Sequence, residues 1–155
     1  MVDVAPFLWF DDDAEQALDF YSGVFENSEI VNVTRLDAPE MPNGGFIIGT
    51  IRIENLTITI MNGGPMFALN EAFSLFVSCE GQAEVDRYWS ALVDGGEASQ
   101  CGWLKDRFGV SWQIIPTLLG ELMSDPDPEK SGRVRDAMMT MSKIECDALR
   151  AAYDG

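Results

Sequence analysis

The chain has 155 residues and a mass of 17.1 kDa, enough for one domain or two fused half-domains of about 60 residues each and too little for a conventional two-domain cofactor enzyme. Apolar residues make up 46% and charged residues 23%, the balance of a soluble globular chain with a core, which excludes a disordered one. Acidic side chains outnumber basic ones 26 to 10, and the net charge of −16 argues against nucleic acid or an anionic membrane as partner, because binding to either begins with Lys and Arg on phosphates.

The first segment, Pro6-Phe7-Leu8-Trp9-Phe10, is a short aromatic-rich run that reads as a buried strand. Asp11-Asp12-Asp13 end it, and one of these aspartates is expected to cap the helix that follows. That helix is marked by Ala17, Phe20, Tyr21, Val24 and Phe25, spaced i, i+3, i+4, i+7 and i+8. Ser28 to Leu36 reads as a strand. Phe46 to Ile53 and Leu56 to Met61 read as a hairpin about Glu54-Asn55, after a Pro/Gly loop from Ala38 to Gly45 and before a stop at Asn62-Gly63-Gly64-Pro65.

The same order begins again at Ala72. Phe73 to Cys79 is a strand with near-regular alternation, and Gln82 to Val93 is a helix with its stripe at Val85, Tyr88, Trp89, Leu92 and Val93. A shift of 68 residues carries all five apolar positions of the first helix onto those of the second. Glu97 to Lys105 reads as one strand, and Arg107-Phe108-Gly109 turns the chain into a strand from Val110 to Pro116, which matches Asn55 to Ile60 at a shift of 54. The predicted organisation is a first repeat over 4–65, a second over 72–116 and a helical appendage over 117–155. In the appendage, Asp125-Pro126-Asp127-Pro128 supplies caps and first-turn prolines, Val134, Ala137, Met138 and Met141 mark an apolar face, and a last helix spans about Glu145 to Tyr153. These helices must pack on the same sheet or on a partner subunit.

A strand with a helix on one face and a cavity on the other should differ chemically between its two alternating sets. Leu56, Ile58 and Ile60, with Val110, Trp112 and Ile114 and with Phe73, Leu75 and Val77, are assigned to the helices. The mixed sets are Thr57, Thr59 and Met61; Ser111, Gln113 and Ile115; and Ser74, Phe76 and Ser78. Together with Pro6, Leu8 and Phe10 these are assigned to a ligand cup. The alternative is a half-wet sheet face covered by a partner.

The absence of histidine removes Ser-His and Cys-His dyads and the zinc sites of mixed His type. Cys79, Cys101 and Cys146 form no CxxC pair, and their odd number suits a reducing compartment, so a cytoplasmic location is expected. The segment Met-Val-Asp-Val-Ala-Pro lacks a basic and an apolar signal region, and no apolar run approaches 18 residues, so neither export nor membrane spanning is expected.

The candidate ligand-binding residues are Gln113, Asn62, Trp103, Lys105, Thr59, Met61, Ser74 and Leu8. Gln113 offers a pocket amide, against an amide satisfied by backbone. Asn62 could meet a ligand at the cup mouth, or serve its turn alone. Trp103 could wall the pocket, whereas Trp112 alternates toward the helices. Lys105, one of three lysines, could fix a carboxylate or phosphonate, against a solvated hairpin tip at Lys105-Asp106-Arg107. Cys101 is read as a small buried hydrophobe before a reactive thiol. Alternation places no Asp or Glu in the cup.

The tandem units, Met61-Asn62-Gly63-Gly64-Pro65, and above all the run from Gln100-Cys101-Gly102-Trp103 through Asp106-Arg107-Phe108-Gly109 to Trp112-Gln113-Ile114-Ile115-Pro116 resemble the PhnB-like branch of the vicinal oxygen chelate (glyoxalase/bleomycin-resistance) superfamily. This branch also carries the label of a 3-demethylubiquinone 3-methyltransferase-like domain. The resemblance extends over about 4–153. It implies an α+β fold in which tandem βαβββ repeats form a curved eight-stranded mixed sheet, here with C-terminal helices, and it implies a homodimer. Metal-dependent relatives hold a divalent ion with four side chains, and motif register puts Pro6, a residue near Thr59 to Met61, Ser74 and Gln113 at those positions. Only Gln113 matches a ligand type, so no metal and no cofactor are expected. No GxGxxG turn follows a strand, so methyl transfer is not expected from the label. The expected function is metal-independent binding of a small organic ligand in the cup of a homodimer. The alternatives are an enzyme (isomerase, lyase or methyltransferase-like) acting on a small oxygenated metabolite, and a dimeric protein-interaction module.

Overall fold

The computed structural model describes residues 1–41 and 44–155, so Pro42 and Asn43 of the predicted Pro/Gly loop lie outside the described residues. The chain divides into two compact units, Met1–Leu69 and Asn70–Gly155. The first runs β1 (Phe7–Phe10), α1 (Ala14–Val24), β2 (Ser28–Asp37), β3 (Gly45–Ile53) and β4 (Leu56–Asn62). The second runs β5 (Ser74–Cys79), α2 (Gln82–Val93), β6 (Glu97–Ala98), β7 (Trp103–Lys105) and β8 (Ser111–Pro116), followed by α3 (Thr117–Met123), α4 (Pro128–Met139) and α5 (Cys146–Asp154). Each unit is a four-stranded mixed sheet of identical topology, β1-β4-β3-β2 and β5-β8-β7-β6, with the first pair parallel and the others antiparallel. This is the α+β arrangement of tandem βαβββ repeats that the resemblance implied, with the eight strands forming two four-stranded sheets.

In the first unit, Ala17, Leu18, Tyr21 and Val24 of α1 are buried together with Ile51, Ile58 and Ile60. Gly49 admits the helix: a Cβ there would lie 2.3 Å from the Leu18 Cδ1. Asp13 occupies the N-cap position but makes no side-chain cap bond. The cap comes from across the sheet, where Asn62 Oδ1 accepts from the Ala14 N–H at 2.7 Å and Asn62 Nδ2 donates to the Asp12 carbonyl at 3.1 Å. One of the three aspartates, Asp13, is the N-cap residue as expected, but the side-chain capping bond is supplied by Asn62.

In the second unit, Val85, Trp89 and Leu92 of α2 are buried together with Leu75, Leu104, Trp112 and Ile114. The predicted single strand from Glu97 to Lys105 is instead a hairpin. Cys101 (φ 58°) and Gly102 (φ 83°) reverse the chain, and Glu97 pairs with Lys105 and Ala98 with Leu104. The positive φ of Gly102 favours glycine, and a Cβ there would also crowd the Ile114 backbone carbonyl at 3.0 Å. The reversal restores the fourth strand to the second repeat.

The appendage packs within its own unit. Leu119, Val134, Ile144 and Leu149 form a buried cluster joined by Ile115 of β8, so Ile115, assigned to the cup, lies under the C-terminal helices. The Cys101 and Gly102 N–H groups donate to the Met141 and Ser142 carbonyls at 2.8 and 2.7 Å. Gln82 ties α2 to α5, its Oε1 accepting from the Cys146 N–H at 2.7 Å. Asp127 caps α4 as predicted, accepting from the Glu129 N–H at 2.9 Å. Among the described residues no helix is long and apolar enough to cross a membrane.

The three cysteines are free thiols. Burial, reinforced by nearby Glu84 and Cys146, pushes Cys79 up to about 12, and burial also raises Cys146. A thiol reagent at pH 8 is expected to label half-buried Cys101 first and to reach the other two only on unfolding. Peptide mapping after a short pulse checks this, and early labelling of Cys79 would contradict it.

Candidate functional site

Residues paired across a sheet project to the same face, so the register decides which side chains meet. In the first unit, Phe7 pairs with Thr59, Leu8 with Ile60 and Trp9 with Met61. Phe7 and Trp9 therefore share the face of Thr57, Thr59 and Met61, while Leu8 and Phe10, 6% and 2% exposed, lie in the core beneath it. The assignment of Leu8 and Phe10 to the cup face is corrected by that parallel register. Asn62, 8% exposed, is occupied in capping α1. The Thr59 hydroxyl lies 3.1 Å from that of Thr50. Half-buried Met61 sits beside Trp9, whose indole N–H donates to the Gly64 carbonyl at 2.8 Å and whose ring meets Phe67 edge-on at 5.0 Å.

The second sheet gathers more chemistry. Its rungs Lys105–Ser111–Ser74 and Trp103–Gln113–Phe76 lie side by side on the face opposite Leu104, Trp112 and Ile114. Gln113 Nε2 donates to Ser74 Oγ at 2.9 Å. At the Lys105 end the surface opens into a cavity of about 130 Å³ lined by Glu71, Glu97, Ser99, Trp103, Lys105 and Ser111, among others. Ser111 is 2% exposed, and its hydroxyl has no hydrogen-bond partner. Lys105 Nζ lies 2.6 Å from Glu71 Oε1. That hydrogen bond holds the Glu71 carboxyl below the usual carboxylate range and raises the Lys105 ammonium in return, with Glu97 adding to the rise.

The structure thus brings Trp103 and Lys105 into one cavity and places Ser74 and Gln113 on the adjoining rungs. Three lining residues escaped the reading of the sequence: Ser111 as an unsatisfied group, and Glu71 and Glu97 as carboxylates on a face predicted to have none. Reading β6 and β7 as one strand concealed Glu97; Gly102 was the signal that could have revealed the reversal.

Asp106, expected at a solvated tip, is 3% exposed. Its carboxylate accepts from the Phe108 and Val110 N–H groups at 2.9 and 3.0 Å and from the Trp112 indole N–H at 2.8 Å. The long block that carries the family resemblance is therefore built around a buried carboxylate that closes the turn between β7 and β8. Cys101 sits at the β6–β7 reversal with its Sγ 3.8 Å from the Met139 Sδ. Among the described residues no group of three Cys, Asp or Glu side chains is arranged to hold a metal ion.

The family model described as 3-demethylubiquinone-9 3-methyltransferase matches residues 2–115. Among solved structures, the PhnB protein from Bacillus cereus is 29% identical with a TM-score of 0.67, the match covering 75% of this chain and 100% of that one. Protein PA1353 from Pseudomonas aeruginosa is 19% identical with a TM-score of 0.63, covering 75% and 98%. The fosfomycin resistance protein FosX from Listeria monocytogenes, solved in complex with Mn(II) and a sulfate ion, is 18% identical with a TM-score of 0.52, covering 72% and 90%. A comparison with curated proteins finds no match. Two repeats of one topology, the buried Asp106–Trp112 turn and a family match over most of the chain lead to one conclusion: the protein belongs to the 3-demethylubiquinone-9 3-methyltransferase family, the PhnB-like branch of the vicinal oxygen chelate superfamily.

Proposed function

We propose that the protein binds a small organic molecule, without a metal ion, on the open face of its second sheet, and that it works as a cytoplasmic homodimer. Ser111 carries this reading. A buried hydroxyl left without a partner costs about 1–3 kcal/mol, and this one belongs to a residue of the cavity wall beside Trp103 and Lys105. A bound molecule that hydrogen-bonds to it removes the cost. Phe76, 59% exposed and the register partner of Gln113, leaves apolar surface on this face that supports the dimeric part of the reading.

The residues at the superfamily's chelate positions do not fit a divalent ion. Neither Pro6 nor Phe7, which the register sets beside Thr59, has a donor side chain, and Thr59 shares its hydroxyl with Thr50. Ser74 and Gln113 are neutral and bonded to each other, whereas a hard cation requires several carboxylate or carbonyl oxygens and a softer one thiolate or imidazole. The enzymatic alternative is less well supported. A general acid or base needs a carboxyl poised near neutrality, but Glu71 is held below its ordinary range by Lys105. The turns from strand to helix carry Asp11-Asp12-Asp13 and Glu80-Gly81, not the glycine run that lets backbone approach a nucleotide-like cofactor.

Native mass spectrometry with elemental analysis of freshly purified protein is expected to show a dimer carrying an organic mass and no metal at one ion per subunit. Dialysis against EDTA is expected to leave Tm unchanged. A metal present at 100 times its Kd would add about 2.7 kcal/mol, a shift of about 5–10 °C for a chain of this size. A drop of that order, reversed by Mn(II), would overturn the metal-free reading.

A further inference from the structure

The cavity on the second sheet holds two carboxylates, Glu71 and Glu97, against one ammonium, Lys105. Lys105 is engaged by Glu71 at 2.6 Å, so it is not a free receptor for an anion. Glu97 is the register partner of Lys105 across the β6–β7 hairpin, and it leaves the cavity with one negative charge in excess. The chain around it carries a net charge of −16, a field that concentrates cations and repels anions. Trp103 lines the same space, and an indole face attracts ammonium groups more strongly than any other aromatic side chain does. A volume of about 130 Å³ limits the guest to a small molecule.

From this juxtaposition we infer that the ligand is a small organic cation, an amine or quaternary ammonium that also bears a hydroxyl or carbonyl group. Glu97 and Trp103 take the charge, and the unpartnered Ser111 hydroxyl takes the polar group. The inference rests on the binding reading above and gives its ligand a charge, reversing the expectation that Lys105 fixes a carboxylate or phosphonate.

Choline and glycolate test it, one cationic and one anionic, each with a hydroxyl. The full chain, labelled with ¹⁵N, is titrated with each while the amide signals of Trp103 and Ser111 are followed. Choline is expected to shift both signals to saturation and glycolate to shift neither. Glu97→Gln and Ser111→Ala are each expected to weaken choline on the order of tenfold, and Lys105→Met to tighten it. Saturable shifts with glycolate but not choline would overturn the cationic assignment and leave the cavity as a binding site. Equally tight binding of choline to Glu97→Gln would overturn that assignment in the same way. No response to either probe, nor to neutral ethylene glycol, would overturn the binding reading itself.

Discussion

Asp106→Ala is expected to lower the unfolding free energy by about 3–5 kcal/mol, the range for stripping a buried charge-assisted network of its acceptor. The wild-type carboxylate satisfies the N–H groups of Phe108 and Val110 and the indole of Trp112. Alanine leaves the Val110 and Trp112 donors facing a buried site with no acceptor. Asp106→Asn keeps one oxygen but turns an amide N–H₂ against one of the donors, so a smaller loss of about 2 kcal/mol is expected. Urea unfolding followed by tryptophan fluorescence and by far-UV circular dichroism measures both. An alanine variant within about 1 kcal/mol of wild type, the net value of a single ordinary hydrogen bond, would show that the turn between β7 and β8 does not depend on this carboxylate.

The second large effect is expected at Asn62, where alanine should cost about 2–3 kcal/mol, a cap of about 1–2 kcal/mol plus a second lost bond to the Asp12 carbonyl. Asp13→Ala, at the N-cap position, should cost less than the asparagine variant, because its side chain makes no capping bond. Chain-local rules predict the opposite order, with the aspartate critical and the asparagine a replaceable turn residue. Denaturant melts of the two variants side by side decide the matter, and an aspartate variant less stable than the asparagine variant would reverse the assignment.

Much of the scaffold could be read from residue spacing. The shared helical stripe beginning at Ala17 and Val85 exposed the repeat, and both helices bury residues of that stripe. The alternation of Val110, Trp112 and Ile114 correctly placed them in the core. The cup face of β1 could not be read in the same way. Phe7 and Trp9 are as large and apolar as Leu8 and Phe10, so nothing within the strand distinguishes its two sides, and only the parallel pairing with β4 does so. The hairpin at Cys101 was hidden for a different reason. A cysteine at φ 58° is an uncommon conformation for a residue with a side chain, held here by backbone bonds from Cys101 and Gly102 to the segment between α4 and α5.

Taken alone, the amino-acid order established the succession of elements apart from the β6–β7 hairpin and α3, the internal duplication, the family and the acidity that disfavours anionic partners, because periodicity, turn chemistry and composition act over a few residues at a time. The folded chain decided which strand faces carry Leu8 or Trp9, which side chain caps α1, and that Glu71, Glu97, Trp103, Lys105 and Ser111 share one cavity. Those outcomes depend on sheet register and on hydrogen bonds between residues tens of positions apart, and a one-residue slip in register would exchange every face without altering any local preference.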